Sequence, residues 1–296
     1  MKLNGAHTAI VTPFNSENKL DIDVLHQLLE YQIAGSISGI VPCGTTGESP
    51  TLSPEEKQKI ILEVIDHCKG KCKVIAGTGT YNTRTTISNS IWAGENGADV
   101  VMVITPYYNK PGQKGLYLHF SKVATAIAPI PLIIYNVPSR TNVHIESETV
   151  LRLRQDHKNI IGIKDASGDM SYDLELVDRA DDDFNILCGE DGILMPYLSS
   201  GSKGVVSVAS NVFPREMRDL VNLYQAGKVE EALKIQLKFR ELMNLLFVET
   251  NPIPVKYALE SIGFSVGSPR LPLHILSNHY QKTLRSAIDK VLTKNK

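Results

Sequence analysis

The chain has 296 residues, 42% of them hydrophobic and 21% charged, an ordinary globular composition. Its 31 Lys and Arg against 32 Asp and Glu leave a net charge of −1, which argues against nucleic acid or an anionic membrane as a partner. No apolar run approaches a membrane span. The opening "MKLNGAHTAIVTPF" lacks an apolar h-region and a cleavage site, so it reads as a first strand of a cytoplasmic protein.

Short β-branched runs recur along the chain, each followed by a polar or glycine-rich break and then a helical pattern. They are "HTAIVT" (7–12), "SGIVPC" (38–43), "KVIAGT" (73–78), "DVVMVIT" (99–105), "PLIIYNV" (131–137), "IIGIKD" (160–165), "FNILCG" (184–189) and "KGVVSVA" (203–209). Most are continuously apolar, as parallel strands buried on both faces are. Between the first two, "DIDVLHQLLEYQI" places Val24, Leu25, Leu28 and Leu29 on one helical face. After the second, "SPEEKQKIILEVIDHC" opens with Ser53, Pro54 and Glu56, the N-cap, first-turn proline and N3 acid of a capping box. Ser199–Gly204 reads as a helix ending on glycine. Eight such βα units in about 225 residues match a (β/α)₈ TIM barrel, an α/β fold.

The alternative is an open, doubly wound sheet. Its only support is "GTGTYN" (77–82), which lacks the third glycine of a dinucleotide loop and the acid ending the next strand. After residue 212 the β-type runs stop, and "PREMRDLVNLYQAG", "KVEEALKIQLKFRELMNLLFVE", "IPVKYALESIG" and "PLHILSNHYQKTLRSAIDKVL" carry helical spacing. The first serves as the eighth barrel helix. The expected organisation is a catalytic barrel over 1–226 and a C-terminal helical extension over 227–296.

The cysteines are Cys43, Cys68, Cys72 and Cys188, and "CKGKC" lacks the spacing of zinc or redox motifs. Reduced thiols are the reading. In a barrel the site lies at the C-terminal ends of the strands. Standing there are Gly44, Thr45, Thr46, Gly47 and Glu48 after strand 2, and Tyr107, Tyr108 and Lys110 after strand 4. Tyr135, Asn136 and Arg140 follow on strand 5, Lys164 ends strand 6, "CGEDG" ends strand 7 and "VVSVASN" strand 8. The eight histidines (7, 26, 67, 119, 144, 157, 274 and 279) form no H-x-x-E or H-E-x-x-H pattern. A metal-dependent carbon–carbon lyase wants imidazole and carboxylate ligands converging at the mouth. The inventory therefore favours an amine catalyst, with no metal and no cofactor.

An amine attacks a carbonyl only when unprotonated, and an apolar barrel favours the neutral form. The imine it forms with a 2-oxo acid is an electron sink, so the adjacent carbon loses a proton and becomes an enamine nucleophile. A tyrosine hydroxyl is able to move those protons, and the "GTTGES" turn offers backbone N–H groups to a carboxylate. Each residue also has a plainer reading. Lys164 could be a strand-end lysine meeting water, Tyr135 a core aromatic, Thr45 and Thr46 turn hydroxyls and Arg140 a surface ion-pair residue. Asp165 reads as structural, starting the next turn.

Over nearly the whole chain the sequence resembles the 4-hydroxy-tetrahydrodipicolinate (dihydrodipicolinate) synthase family of the pyruvate-dependent class I aldolases, a superfamily shared with N-acetylneuraminate lyase. The motifs are "GTTGESPTLSPEEK", "VIAGTGT", "VITPYYNKP", "YNVPSRT", "GIKDASGD", "GVVSVASN" and "NPIPVKYAL". The resemblance implies a lyase of lysine and diaminopimelate biosynthesis that condenses pyruvate with L-aspartate 4-semialdehyde. It implies that Lys164 forms the imine, that Tyr135 is the general acid/base, and that Thr46 links Tyr135 to Tyr108 of a neighbouring subunit. Thr45 and Thr46 would hold the pyruvate carboxylate, Arg140 that of the semialdehyde, and Gly189 and Val206 would line the site with carbonyls. A cytoplasmic homotetramer, a dimer of dimers, is implied as well. Neuraminate lyases generally lack "PSRT" and tend to carry serine in place of Thr45, so a sibling aldolase with another acceptor is the runner-up. A third reading is a regulator on the same barrel that binds pyruvate or an amino acid without turnover. Lysine-inhibited members place histidine or asparagine, and an acid, where this chain has Pro54, Lys57, Tyr81 and Thr85. Lysine inhibition is therefore expected to be weak or absent.

Overall fold

The computed structural model describes residues 1–293. Eight strands run in chain order around a closed barrel, β1-β2-β3-β4-β5-β6-β7-β8, and the registers are parallel. In order the elements are β1 (Gly5–Ala9), α1 (Ile22–Ala34), β2 (Gly39–Val41), α2 (Pro54–Cys68), β3 (Lys73–Gly77), α3 (Thr83–Glu95), β4 (Val100–Ile104) and α4 (Gln113–Ile127). Then come β5 (Leu132–Asn136), α5 (Pro138–Thr141), α6 (Ser147–Asp156), β6 (Ile160–Asp165), α7 (Met170–Arg179), β7 (Asn185–Cys188), α8 (Leu194–Ser200) and β8 (Gly204–Ser207). Four helices follow: α9 (Pro214–Gln225), α10 (Val229–Leu245), α11 (Ile253–Ser261) and α12 (Asn278–Thr293). The closed ring rules out the open doubly wound sheet.

The chain falls into two compact units. One comprises residues 1–5 and 73–206, the other residues 6–72 and the chain from Ser207 on. In the first, β4 to β7 are filled by β-branched and leucine side chains stacked in register, Val103 beside Ile134, Ile134 beside Ile163 and Ile163 beside Ile186. All four are fully or nearly fully buried. Such apolar runs need cover on both faces, and α4 contributes the buried Leu116, Phe120 and Val123. Gly162 breaks the apolar run of β6 for a local reason. A Cβ there would stand 2.3 Å from the Asn185 carbonyl oxygen. The space lets Asn185 approach, donate its Nδ2 to the Ile161 carbonyl at 2.8 Å and accept from the Leu3 amide at 2.8 Å. The chain end is thereby tied to β7.

In the second unit, α1 buries Val24, Leu25, Leu28 and Leu29 together with Gln32. Gln32 accepts from the Thr8 hydroxyl at 2.7 Å and donates to the Ser210 and Asn211 carbonyls. At the start of α2, Ser53 accepts from the Glu56 amide and Glu56 accepts from the Ser53 amide, with Pro54 in the first turn, the capping box expected from the sequence. In the other unit α8 ends at Gly201, whose φ is 119°.

Only β6 keeps its expected bounds, and at β1 and β8 the reason for the difference is visible. The first strand occupies residues 5–9 rather than 7–12. Beyond Ile10, whose amide still donates to the Val41 carbonyl at 3.3 Å, side chains enter the pairing: the Val11 amide donates to Asn211 Oδ1 at 3.1 Å and the Thr12 hydroxyl to the Gly47 carbonyl at 2.8 Å. Likewise β8 stops at Ser207, because the Ser210 amide donates to the Ser207 hydroxyl at 2.9 Å and the chain coils into a short 3₁₀ turn, Ala209–Asn211. Asp165 is the last residue of β6 and does not begin the next turn.

Candidate active site

Lys164 is the fifth residue of β6, and its whole strand is buried. It pairs in register with Tyr135 of β5 on one side and Leu187 of β7 on the other. Lys164 is 6% exposed and Tyr135 5%, so the strand-end lysine meeting water is not what the structure holds. The Lys164 Nζ sits 4.1 Å from the centroid of the Tyr135 ring, within reach of a cation–π contact when protonated. Gly189, just past β7, closes on the same lysine. A Cβ at Gly189 would lie 3.1 Å from Lys164 Cε and 2.6 Å from Ala166 Cβ.

Asp165 does not serve Lys164. Its carboxylate accepts from Asn136 Nδ2 at 2.8 Å, the Tyr197 hydroxyl at 2.8 Å and the Ser167 hydroxyl at 2.7 Å. With the Ser167 amide at 3.3 Å as a fourth donor, this fully buried carboxylate makes a structural knot that fixes the ends of β5 and β6. The Tyr197 phenol is held well above its ordinary value by burial and then by Asp165.

Arg140 is exposed on α5, the short helix that leaves β5 directly. Glu190, unremarked in the sequence, follows Gly189. Burial raises its carboxyl above the ordinary value and Asp191 adds to this, while the positive charges of Lys164 and Arg140 pull it back. One carboxylate therefore feels both cations. Val206 is buried in β8. Tyr107 is half-buried and meets Tyr81 edge to face at 5.3 Å. Tyr108 is 90% exposed with a φ of 67°, in the left-handed backbone region.

The remaining expected residues lie in the second unit. Thr45 is half-buried and Thr46 buried, in a turn closed by the Glu48 amide donating to the Thr45 carbonyl at 3.0 Å. Asn251 Nδ2 donates to Thr46 Oγ1 at 2.9 Å. Glu48 is buried against Lys256, Oε1 to Nζ 2.6 Å, and its Oε2 accepts from the Arg270 amide at 2.8 Å. Phe14 carries Lys256 and Arg270 over its ring at 4.3 and 4.1 Å. Sequence reasoning gave Asn251 and Lys256 no role. The signal was a lysine inside the apolar helix "IPVKYAL", a residue type rarely buried without a partner.

Among the described residues no group of three or more His, Cys, Asp or Glu is placed to hold a metal ion, and no helix is long and apolar enough to cross a membrane.

The profile of the dihydrodipicolinate synthetase family matches residues 2–291. The chain belongs to this family. A 4-hydroxy-tetrahydrodipicolinate synthase from Geotalea daltonii is 45% identical over 284 residues, 96% of this chain and 97% of its own. Among solved structures, the 4-hydroxy-tetrahydrodipicolinate synthase of the methanotroph Methylacidiphilum fumariolicum superposes with a TM-score of 0.96 at 42% identity, over 99% of this chain and 97% of that one. The Acinetobacter baumannii dihydrodipicolinate synthase, complexed with pyruvate, gives a TM-score of 0.95 at 38% identity, over 98% and 99%. The family is thus matched over essentially the full chain, with the Lys164 and Tyr135 strands included.

Proposed function

We propose that Lys164 is the imine-forming amine of a 4-hydroxy-tetrahydrodipicolinate synthase, with Tyr135 as its acid/base. The activity is that of the family: condensation of pyruvate with L-aspartate 4-semialdehyde in lysine biosynthesis. The observation carrying the residue assignment is the buried Lys164 with its Nζ 4.1 Å from the Tyr135 ring centroid.

The Lys164 nitrogen attacks the pyruvate keto carbon, and Tyr135 delivers the proton that lets the oxygen leave as water. The imine withdraws electrons from C3, which gives up a proton and becomes an enamine. That carbon adds to the aldehyde of the second substrate, whose oxygen takes a proton and becomes the 4-hydroxyl. The amino group of the second substrate then attacks the imine carbon and displaces Lys164, leaving the cyclic product and one water per turnover. Thr45 and Thr46 hold the pyruvate carboxylate, and Thr46 passes protons between Tyr135 and Tyr108. Arg140 takes the carboxylate of the semialdehyde, for which a planar guanidinium fork is suited. Carbonyls at Gly189 and Val206 face the bound substrate.

Tyr108 is exposed in the single chain, which supports its donation to a neighbouring subunit and, with the family resemblance, a cytoplasmic homotetramer. Mixing Lys164→Ala with Tyr108→Phe chains restores partial activity on this reading. A fully active monomer refutes it. At the positions of lysine feedback, Lys57 presents a cation and Thr85 is exposed with no carboxylate, so sub-millimolar lysine leaves steady-state rates essentially unchanged.

Borohydride reduction in the presence of pyruvate, read by mass spectrometry, tests the core of the proposal. An adduct on Lys164 is expected, and its absence sinks the assignment. Offering L-aspartate 4-semialdehyde and N-acetylmannosamine as acceptors then separates the synthase from a sibling lyase.

A further inference from the structure

The turn carrying Thr45 and Thr46 is held by the segment after β1 and by the chain that follows the barrel. The Thr12 hydroxyl donates to the Gly47 carbonyl, Lys256 forms an ion pair with Oε1 of Glu48 while the Arg270 amide donates to Oε2, and Asn251 donates to the Thr46 hydroxyl. The first three contacts fix the backbone and the neighbouring carboxylate. The fourth acts on the one side-chain atom that a proton must cross.

We infer that Asn251 is a positioning residue that sets the direction in which the Thr46 hydroxyl hands on its proton, an inference that rests on the relay proposed above. A hydroxyl has one hydrogen and two lone pairs. The amide Nδ2 only donates, so at 2.9 Å it occupies one lone pair of Thr46 and cannot receive the Thr46 hydrogen. One hydrogen and one lone pair remain. Those are what a relay hydroxyl needs: a proton to give and a lone pair to accept the next. Both partners are buried, Thr46 at 2% and Asn251 at 4% exposure, so bulk water does not compete for that orientation. The backbone keeps Asn251 in place, since Pro252 follows it and α11 begins at Ile253.

The test replaces the donor with its isostere. In Asn251→Asp the ionised carboxylate accepts the Thr46 hydrogen and withdraws it from the relay. In Asn251→Ala the hydroxyl loses its orienting partner but keeps its hydrogen. With pyruvate and the semialdehyde as substrates near pH 8, kcat falls about 10-fold in Asn251→Ala, where only orientation is lost, and about 100-fold in Asn251→Asp, the lower end of a lost proton-transfer contribution, while KM for pyruvate moves far less. Packing alone predicts the opposite order, because aspartate fills the space of asparagine and alanine leaves a gap. A second readout is the pH profile. As pH falls, the introduced carboxyl takes up a proton and becomes a donor again, so kcat of Asn251→Asp relative to the parent rises.

An aspartate variant as active as the parent, or more active than the alanine variant, overturns the inference. Should the aspartate variant not fold, the alanine variant decides. A fall in kcat with KM and the thermal midpoint retained supports the positioning role, whereas an unchanged kcat, or a fall that only tracks lost stability, overturns it. The borohydride adduct on Lys164 of the parent is the separate control. Its absence removes the proposed function itself, and its presence leaves only the role of Asn251 at stake.

Discussion

Replacing Lys256 by methionine tests how the Thr45–Glu48 turn is held. Lys256 and Glu48 are 2% and 1% exposed at their side chains and 2.6 Å apart. Burial pushes the Lys256 amine below its ordinary value, and Glu48 draws it back up. Methionine fills nearly the same space, so the perturbation removes charge more than volume. Breaking a buried pair from one side costs about 3–5 kcal/mol, because the other charge is left uncompensated. Glu48 keeps the Arg270 amide at 2.8 Å, which places Lys256→Met at the lower end, about 3 kcal/mol. For a domain of this size each kcal/mol moves the midpoint by about 2–4 °C. The expected fall in Tm is therefore about 6–12 °C, measured by calorimetry at fixed protein concentration. In the Lys256→Met, Glu48→Gln double variant neither charge remains, and most of the loss returns. A single variant within about 1 kcal/mol of the parent, or a double variant no more stable than the single, would refute the reasoning.

Tyr135→Phe removes the hydroxyl but keeps the ring against Lys164, so kcat falls by about 10²–10⁴. The borohydride adduct still forms on long incubation, and its loss would mean that Tyr135 chiefly positions the lysine. Gly189→Ala drives a methyl to 2.6 Å from Ala166 Cβ and 3.1 Å from Lys164 Cε, displacing the amine; near-normal kcat in a steady-state assay would contradict this. Two buried groups of opposite sense govern the acid side. Burial raises Asp173 from 3.8 to about 6, although its Ser200 and Ser202 hydroxyl donors pull the other way. The folded chain thus holds that proton longer, and the stability it contributes is full below about pH 3.8 and lost as pH rises to about 6. Burial lowers His119 from 6.5 to about 4, so the unfolded chain protonates first and stability is lost as pH falls through that window. Asp173→Asn should therefore match the parent near pH 3 and exceed it near pH 7 by about 3 kcal/mol, read by denaturant unfolding. His119→Gln should gain on the parent as pH falls from 6.5 to about 4. A flat difference across either window contradicts the assignment.

The barrel was legible because its strands are buried on both faces. Runs such as "DVVMVIT" carry no alternation, and each is bounded by a glycine or proline break. The strand ends were less legible, because side chains distant in sequence take over there. Asn211 accepts from Val11 and donates to the Ala9 carbonyl, and no local pattern around Val11 announces that. Lys164 stood out as the one charge closing an apolar run, and counting strands put it at the catalytic end. Asn251 could not be read in the same way. Its partner Thr46 is 205 positions away, and an asparagine before proline looks like any turn. Lys256 was passed over although it is a misfit in an apolar helix, and the carboxylate that receives it lies on the far side of the sequence. Glu190 was hidden by its neighbours, since "CGEDG" offers two acids and only the fold gives the first a place beside two cations.

Lys164 and Tyr135 sit side by side on hydrogen-bonded strands. The spacing of such strands, about 4.8 Å, is a property of peptide groups and is the same for every sequence. The separation of the two backbones is therefore inherited from the ladder, and what substitution alters is the course of each side chain, as a methyl at Gly189 would. Arg140, by contrast, rides on a four-residue helix outside the ladder. A lineage that exchanges one acceptor for another is free to rebuild that helix, while the strands that carry the lysine and the tyrosine keep their spacing.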